Sequence, residues 1–204
     1  METDRTLQGI APQLLFLEPG EDVPNHPLLP VLLYGRVLPS RAASAADVWF
    51  VQRLAANGWG GIWRGGIFSF PHFHTTAHEA LAVARGRARL RLGGRRGAVL
   101  EVGAGDLLVL PAGTGHERLA ASRDLLVVGA YPSGQSWDLG RLGEDLPSAR
   151  RRIAGVPLPA TDPLFGVDGP LVHIWRQAVG CSGRGSDGVV QEWSRADRRG
   201  TSTQ

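Results

Sequence analysis

The sequence predicts an all-β fold, a sandwich or a barrel made of short strands. Glycine and proline are abundant, with 28 Gly and 14 Pro among 204 residues, and this composition favours frequent turns over a helical bundle. Between residues 59 and 130, short apolar or alternating segments follow one another, most of them separated by Gly or Pro. The length and the 43% hydrophobic content fit one domain with a core of its own.

The N-terminal part contains two short strands and one helix. Apolar runs at 12–17 and 31–38 predict the strands. Apolar residues at helical spacing predict a helix over 45–56, which Asn57-Gly58 would end. Ser44 and Asp47 have the spacing of a capping box at the start of this helix.

Seven strands are predicted after the helix. They cover 62–68, 79–84, 88–92, 98–102, 106–110, 116–119 and 125–130. Such a series of short strands with frequent turns is typical of a sandwich or barrel. Arginine alternates with Ala or Leu over 87–92, which should place Ala88, Leu90 and Leu92 in the core and the arginines in solvent.

The chain becomes loop-like after Tyr131. A short helix is predicted over 144–153, and a last packed segment is predicted over 171–175. Beyond about residue 179 the sequence turns to Gly, Ser, Arg and Asp, which predicts a disordered tail. The expected organisation is an arm with a helix (1–58), a barrel core (59–130), loops that pack on the core (131–177) and a tail (178–204).

Charge and cysteine content exclude several classes of protein. All 22 basic residues are Arg, against 19 acidic residues, for a net charge of +3. This balance lacks the basic excess of a dedicated nucleic-acid binder, so no nucleic-acid partner is expected. The single Cys181 excludes an internal disulfide and a Cys-based zinc site. The first ten residues lack a signal-peptide core, and the apolar run at 27–34 is too short for a membrane span, so a cytoplasmic location is expected.

Five candidate ligands fall in two short windows. His72, His74, His78 and Glu79 lie in the first, and His116 lies alone in the second. Residues two apart on a strand point to the same face, so the first two imidazoles should lie side by side. Three imidazoles and a carboxylate form a ligand set that suits a divalent Mn, Fe, Co, Ni, Cu or Zn ion.

The glycines and proline around these windows resemble the two sequence motifs of the cupin superfamily. The first motif is matched by Gly66-x5-His72-x-His74-x4-Glu79-x6-Gly86, and the second by Gly105-x5-Pro111-x-Gly113-x2-His116. Ala120 stands where the second motif normally has Asn, a position that would not contact the metal. Within the superfamily the chain resembles the YjlB-type bacterial cupins, through segments 72–79, 111–116, 129–138 and 162–171.

The resemblance implies a cupin barrel, also called a double-stranded β-helix or jelly roll, with an N-terminal strand arm and one or two short helices. It implies a divalent transition metal (Fe, Mn, Ni or Zn) inside one mouth of the barrel. By position its ligands would be His72, His74, Glu79 and His116.

His78 is an alternative ligand to Glu79, because the cupin pattern tolerates a carboxylate at either spacing. Strand parity would turn His78 to the same face as His72 and His74 if no bulge intervened. We favour Glu79, since a bulge in the Thr-rich turn is expected and an anionic ligand helps to hold a dication. His78 is then predicted as a catalytic residue, a proton relay beside the site, with a surface-loop histidine as the alternative.

Two functional hypotheses remain open at this point. One is a metal-dependent enzyme of the dioxygenase, isomerase or decarboxylase type, acting on a small molecule. The other is a non-catalytic cupin module that binds a small molecule or a metal. Apolar side chains beside the first two ligands and on later strands could line a pocket: Phe68, Phe70, Phe73, Leu108, Leu110 and Val128. Arg64 and Arg118 could pair with an anionic substrate. Core packing and solvation are the simpler interpretations. Cupin barrels often dimerise, and the arm at 8–38 could be exchanged in a homodimer.

Overall fold

The computed structural model of the protein describes residue 7 and residues 9–181. Within this part, eleven strands form in the following order: Gln13–Leu15 (β1), Val31–Tyr34 (β2), Trp59–Gly65 (β3), His72–Phe73 (β4), Glu79–Arg85 (β5), Arg87–Leu92 (β6), Ala98–Gly103 (β7), Leu107–Leu110 (β8), His116–Ala121 (β9), Leu126–Pro132 (β10) and Gly140–Arg141 (β11). The α-helices of the described chain are Ala46–Ala56 (α1), Leu146–Ala154 (α2) and Pro170–Cys181 (α3).

The strands form two sheets in which the paired strands are antiparallel. The larger sheet has the order β1-β2-β8-β5-β10-β3, and the smaller sheet has the order β11-β4-β9-β6-β7. From β3 onwards, strands that are neighbours in sequence lie in different sheets, except for the pair β6 and β7. This crossing between two layers is the jelly-roll arrangement that the sequence predicts.

The inner faces of the two sheets enclose an apolar core. In β6 the buried positions are Ala88, Leu90 and Leu92, which alternate with arginines as predicted. They join Leu81 and Val83 of β5, from the facing sheet, in one cluster of buried side chains. Because burial of one such Leu or Val contributes about 1.5–3 kcal/mol, this cluster provides the driving force that closes the two layers.

The outer face of the larger sheet is also covered. Ala80 and Ala82 of β5 belong to a second cluster, together with Phe50 of α1 and Trp175 of α3. A strand that is buried on both faces has a continuous apolar sequence and not an alternating one. The small alanines therefore provide the surface on which the helices pack.

Helix α1 begins one residue after the predicted position, without the predicted capping box. A 3-10 helix, Ser40–Ala45, leads directly into it, and the N-cap Ala45 offers no side-chain hydrogen bond. Asp47 instead accepts a hydrogen bond from Nε of Arg64 at 2.8 Å. Arg64 therefore already has a carboxylate partner, and its charge does not need an anionic substrate for balance.

The C-terminal segment is anchored by a buried carboxylate. Asp162 accepts hydrogen bonds from the Tyr34 hydroxyl at 2.5 Å and from the amides of Leu164 and Leu171 at 2.8 and 3.0 Å. These contacts fix the start of α3 to β2. The helix includes residues 178–181, with which the predicted tail begins, and residues 182–204 lie outside the described chain. Among the described helices, none has both the length and the apolarity needed to cross a bilayer.

Candidate metal centre

The two sheets bring four of the predicted ligands together at one end of the inner core. His72 of β4 pairs directly with His116 of β9 in the smaller sheet. His74 follows β4, and Glu79 begins β5 in the larger sheet. The site is therefore formed by three histidines from one layer and one carboxylate from the other.

The four side chains converge on one point. Ligand atoms of His72, His74 and His116 all lie within 4.8 Å of one another. Oε2 of Glu79 lies 3.4 Å from Nε2 of His74 and 3.3 Å from Nε2 of His116. All four residues are 3–5% exposed, so this is a buried cluster and not a chance grouping on the surface.

The backbone fixes the tautomer of each ring. Nδ1 of His72 contacts the carbonyl of Phe70 at 3.1 Å, Nδ1 of His116 contacts that of Thr114 at 2.9 Å, and Nδ1 of His74 contacts that of Asp138. A carbonyl oxygen can only accept, so each Nδ1 must carry the proton. In the neutral rings Nε2 then has a free lone pair, which is the arrangement that second hydrogen bonds impose on metal-ligating histidines.

Glu79 is held by one oxygen and leaves the other without a donor. The Tyr131 hydroxyl donates to Oε1 at 3.0 Å, and Nε1 of Trp63 donates to that hydroxyl at 3.1 Å. Oε2 is buried and has no hydrogen-bond partner in the part of the chain that the structure describes. A buried carboxylate oxygen that faces nitrogen lone pairs is costly unless a proton or a cation lies between them. The donor set, three nitrogens and one anionic oxygen, fits a divalent transition metal.

The charges of the metal-free cluster favour the same conclusion. Burial, together with the neighbouring His116, lowers the pKa of His72 to about 3. Burial alone would raise the pKa of the Glu79 carboxyl, but the neighbouring imidazoles of His116 and His74 hold it far below its usual range. Burial opposes protonation of His74, yet Glu79 outweighs it and raises the pKa of His74. Glu79 is therefore anionic and attracts a positive charge to this point.

The structure does not bring His78 to the cluster, and the predicted role as a proton relay is corrected here. Its ring packs against Trp175 of α3, with centroids 4.8 Å apart, and its Nδ1 accepts the amide of Ala112 at 2.9 Å. Successive residues of a strand point to opposite faces. Since Glu79 faces the inner core, His78 faces the outer one, where it is fully buried.

Two aromatic pairs border the cluster. Phe68 and Phe70 are stacked 4.8 Å apart, and the ring of Phe68 lies 5.1 Å from that of His72. On the other side, Trp137 lies 5.6 Å from His74 and 6.0 Å from Tyr131. Phe68 is 47% exposed and Trp137 is 50% exposed. A half-exposed aromatic ring therefore lies next to two of the three histidines.

The loop that carries Trp137 is fixed to the segment after His74. The carboxylate of Asp138 accepts the amide and the hydroxyl of Thr75, both at 2.5 Å. Nε of Arg152 in α2 donates to the same hydroxyl at 2.7 Å. The sequence does not reveal that the backbone carbonyl of Asp138 orients His74. No residue type identifies such a carbonyl, because every residue has one.

Arg118 is the other charged group beside the cluster. It lies two residues after His116 in β9, in a regular stretch of pairing with β6, so both side chains face inward. Its Nε donates to the carbonyl of Ile67 at 2.9 Å. Unlike Arg64, it has no carboxylate partner among the residues that the structure describes.

Comparison with known proteins gives one similar sequence and several distant structures. The chain is 36% identical over 166 residues to the uncharacterised protein YjlB of Bacillus subtilis strain 168, a match that covers 80% of this chain and 96% of that protein. Acireductone dioxygenase from Bacillus anthracis, with a cadmium ion in its active centre, is 14% identical with a TM-score of 0.37, over 53% of this chain and 82% of that one. A mutant of Bacillus subtilis oxalate decarboxylase is 16% identical with a TM-score of 0.31, over 60% of this chain and 30% of that one. No protein-family model matches the chain.

Proposed function

The chain belongs to the family of YjlB, which is a cupin family, and from this premise we propose that it is a metal-dependent enzyme acting on a small molecule. His72, His74, Glu79 and His116 would hold a divalent Fe, Mn, Ni or Zn ion. The expected chemistry is of the dioxygenase, isomerase or decarboxylase type.

A single observation carries this proposal. Oε2 of Glu79 is buried without a hydrogen-bond donor among the described residues, and the Nε2 atoms of His74 and His116 lie 3.3–3.4 Å away. Burying three imidazoles, each held in one tautomer by a backbone carbonyl, costs more free energy than filling the same space with apolar side chains. They are the normal way to present a preorganised set of metal ligands.

The bound ion would supply Lewis-acid catalysis or, for iron, redox chemistry with O2. Four protein donors leave two positions open in octahedral geometry, so a substrate with two oxygen donors, or a substrate and O2, can be accommodated. The anionic Glu79 offsets one of the positive charges that enter the core. The four donor residues are 3–5% exposed, so bulk water is largely excluded from the site.

Tyr131 is the protic side chain nearest to this centre among the described residues. Its hydroxyl donates to Oε1 of Glu79, which leaves Oε2 as the oxygen that points to the histidines. Burial raises the pKa of Tyr131, and the charge of Glu79 raises it further, so the hydroxyl keeps its proton at neutral pH. Tyr131 therefore positions the carboxylate and does not act as a general base.

A non-catalytic binding module is the second candidate, and one observation favours it. With His78 on the outer face, the hydroxyl group that contacts Glu79 among the described residues is that of Tyr131, which is already engaged. A site without a free acid or base fits reactions in which the metal does the chemistry, or simple binding. Turnover separates the two candidates.

The test is metal content, measured by mass spectrometry on protein purified without a His tag or chelator. We expect near-stoichiometric Fe, Mn, Ni or Zn that is lost in a His74→Ala/His116→Ala double variant and kept in His173→Ala, which changes an exposed histidine of α3. Oxygen consumption over thiols, diketones and phenols follows if the metal is iron. Protein that holds no metal and takes up none when it is added would contradict the proposal.

A further inference from the structure

We propose that the ligand of this site is an aromatic carboxylate, whose ring lies between the two aromatic pairs and whose carboxylate points to the metal. The inference deepens the proposed function and rests on it. It follows from the exposed aromatic rings beside the cluster and from the charges around them.

The entrance is formed by rings that a protein normally buries. Phe68 and Trp137, each about half exposed, are in ring contact with His72 and His74, at 5.1 and 5.6 Å. Large apolar side chains that remain exposed together around a polar centre indicate a binding site. Flat rings on two sides of an opening are best covered by another flat ring, which gains from stacking or edge contacts as well as from burial.

The second ring of each pair stiffens this arrangement. Phe70 stacks on Phe68 with an interplanar angle of 18°, and Tyr131 stacks on Trp137 at the same angle of 18°. Tyr131 is in turn fixed to Glu79 and Trp63. The walls are therefore positioned before a ligand arrives, which reduces the entropy that binding must overcome.

The charges around the entrance favour an anion. A dication held by three neutral imidazoles and one carboxylate keeps a net charge of +1. The guanidinium of Arg141 lies 4.4 Å from the centre of the Phe70 ring, and Arg118 lies on the inward face of β9 beside His116. Neither guanidinium has a carboxylate partner among the described residues.

The nearby carboxylates are already engaged. Glu117 is paired with Arg91 at 2.5 Å, and Glu144 is paired with Arg152. Asp138 is turned towards the amide and hydroxyl of Thr75. The positive potential from the metal and from Arg118 and Arg141, which have no carboxylate partner among the described residues, is therefore left for a ligand. A carboxylate can bind both a metal ion and a guanidinium group.

The experiment compares three probes that differ in one property each. Benzoate and cyclohexanecarboxylate carry the same charge but differ in planarity, and benzamide is planar but neutral. Each is titrated into zinc-loaded and metal-free protein, with dissociation constants from ligand-observed NMR. Zinc serves as a redox-inert probe ion, so binding is measured without turnover.

We expect benzoate to bind the zinc-loaded protein about tenfold more tightly than cyclohexanecarboxylate, the size of one or two aromatic contacts. Phe68→Leu and Trp137→Leu should each weaken benzoate about threefold to tenfold and bring the ratio of the two acids towards one. Phe16→Leu is the matched control, since Phe16 is 61% exposed and has no ring contact with the cluster. Arg118→Gln should weaken benzoate and leave benzamide unchanged.

The two proposals fail in different ways. Protein that takes up no zinc contradicts the proposed function, which the metal content reports before any probe is added. Zinc-loaded protein that binds both acids equally, or that prefers benzamide to benzoate, overturns the inference while the metal site stands. Equal effects of Trp137→Leu and Phe16→Leu on benzoate would also overturn it, because the aromatic walls would then have no part in binding.

Discussion

The histidines of the core differ in the nitrogen that they offer to the backbone. In the cluster at the mouth of the jelly roll, Nδ1 of His72, His74 and His116 donates to carbonyls, so Nε2 is left free. Outside the cluster, Nδ1 of His78 accepts the amide of Ala112, and Nδ1 of His26 accepts that of Leu29 at 3.0 Å. The backbone partner, and not depth in the fold, separates the proposed metal ligands from the structural histidines.

The largest effect on metal affinity should come from removing one of the three histidines of the cluster. His72→Ala, His74→Ala or His116→Ala should each weaken zinc affinity about a hundredfold to a thousandfold, because one ligand accounts for roughly a quarter of the ~10–16 kcal/mol of a four-ligand zinc site. Competition with a chromophoric chelator measures this directly. A loss below tenfold in any of the three would contradict the assignment of that ring to the site.

Replacement of His78 should affect stability and not metal binding. His78→Ala should lower the free energy of unfolding by about 2–4 kcal/mol, since it opens a cavity beside Trp175 and leaves the amide of Ala112 without an acceptor. Denaturant unfolding measures the change. His78→Asn keeps an acceptor near the position of Nδ1 and should cost less than His78→Ala. Loss of zinc from folded His78→Asn would show that His78 contributes to metal binding, which contradicts this prediction.

Tyr131→Phe tests whether the hydrogen bond from Tyr131 to Glu79 contributes to metal binding. The change keeps the ring stacked on Trp137 but removes the hydrogen bond to Oε1 of Glu79. We expect metal affinity to fall about tenfold, the lower end of the range for an outer hydrogen-bond partner. The matched control is Tyr34→Phe, which removes a hydroxyl bound to Asp162 and should reduce stability but not metal affinity. Equal effects of both changes on metal affinity would exclude a positioning role for Tyr131.

The smallest expected effect concerns His26 and pH. Burial lowers the pKa of His26 to about 4, whereas the unfolded chain binds this proton near pH 6.5. The stability that neutral His26 provides is therefore complete above about pH 6.5 and is lost as the pH falls through about 4. His26→Asn keeps an acceptor for Leu29 without titrating. Its unfolding free energy should fall less than that of the wild type between pH 7 and 4.5, by about 1 kcal/mol, one hydrogen bond. An identical pH dependence would contradict this.

Much of the fold could be predicted because the relevant signal is local. The alternation over 87–92 follows directly from one buried face, and the glycine-bounded strands lie close to their predicted positions. The first strand of the barrel series is displaced, since β3 spans Trp59–Gly65 and not 62–68. Gly61 has φ of +58° and lies in a bulge of β3, where Gly61 and Ile62 stand opposite the single residue Ala130 of β10. A bulge breaks the two-residue period on which strand prediction depends.

The candidate site could be predicted only in part. The spacing of His72, His74, Glu79 and His116 indicated which side chains meet, and the structure brings these four together. The side of the strand on which His78 lies depends on the path of the Thr75–Ala77 turn, which spacing alone does not define. The partners that orient the rings are backbone carbonyls from distant segments, and no pattern of residue types encodes them.

The main-chain carbonyls that orient the three histidines affect how the site can change during evolution. The groups that aim the rings belong to the main chain at Phe70, Thr114 and Asp138. A codon change can replace the side chain at any of these positions but cannot delete the oxygen. The rings at the entrance have no such protection. Selection can therefore exchange the molecules that the entrance admits while the centre behind it is inherited intact.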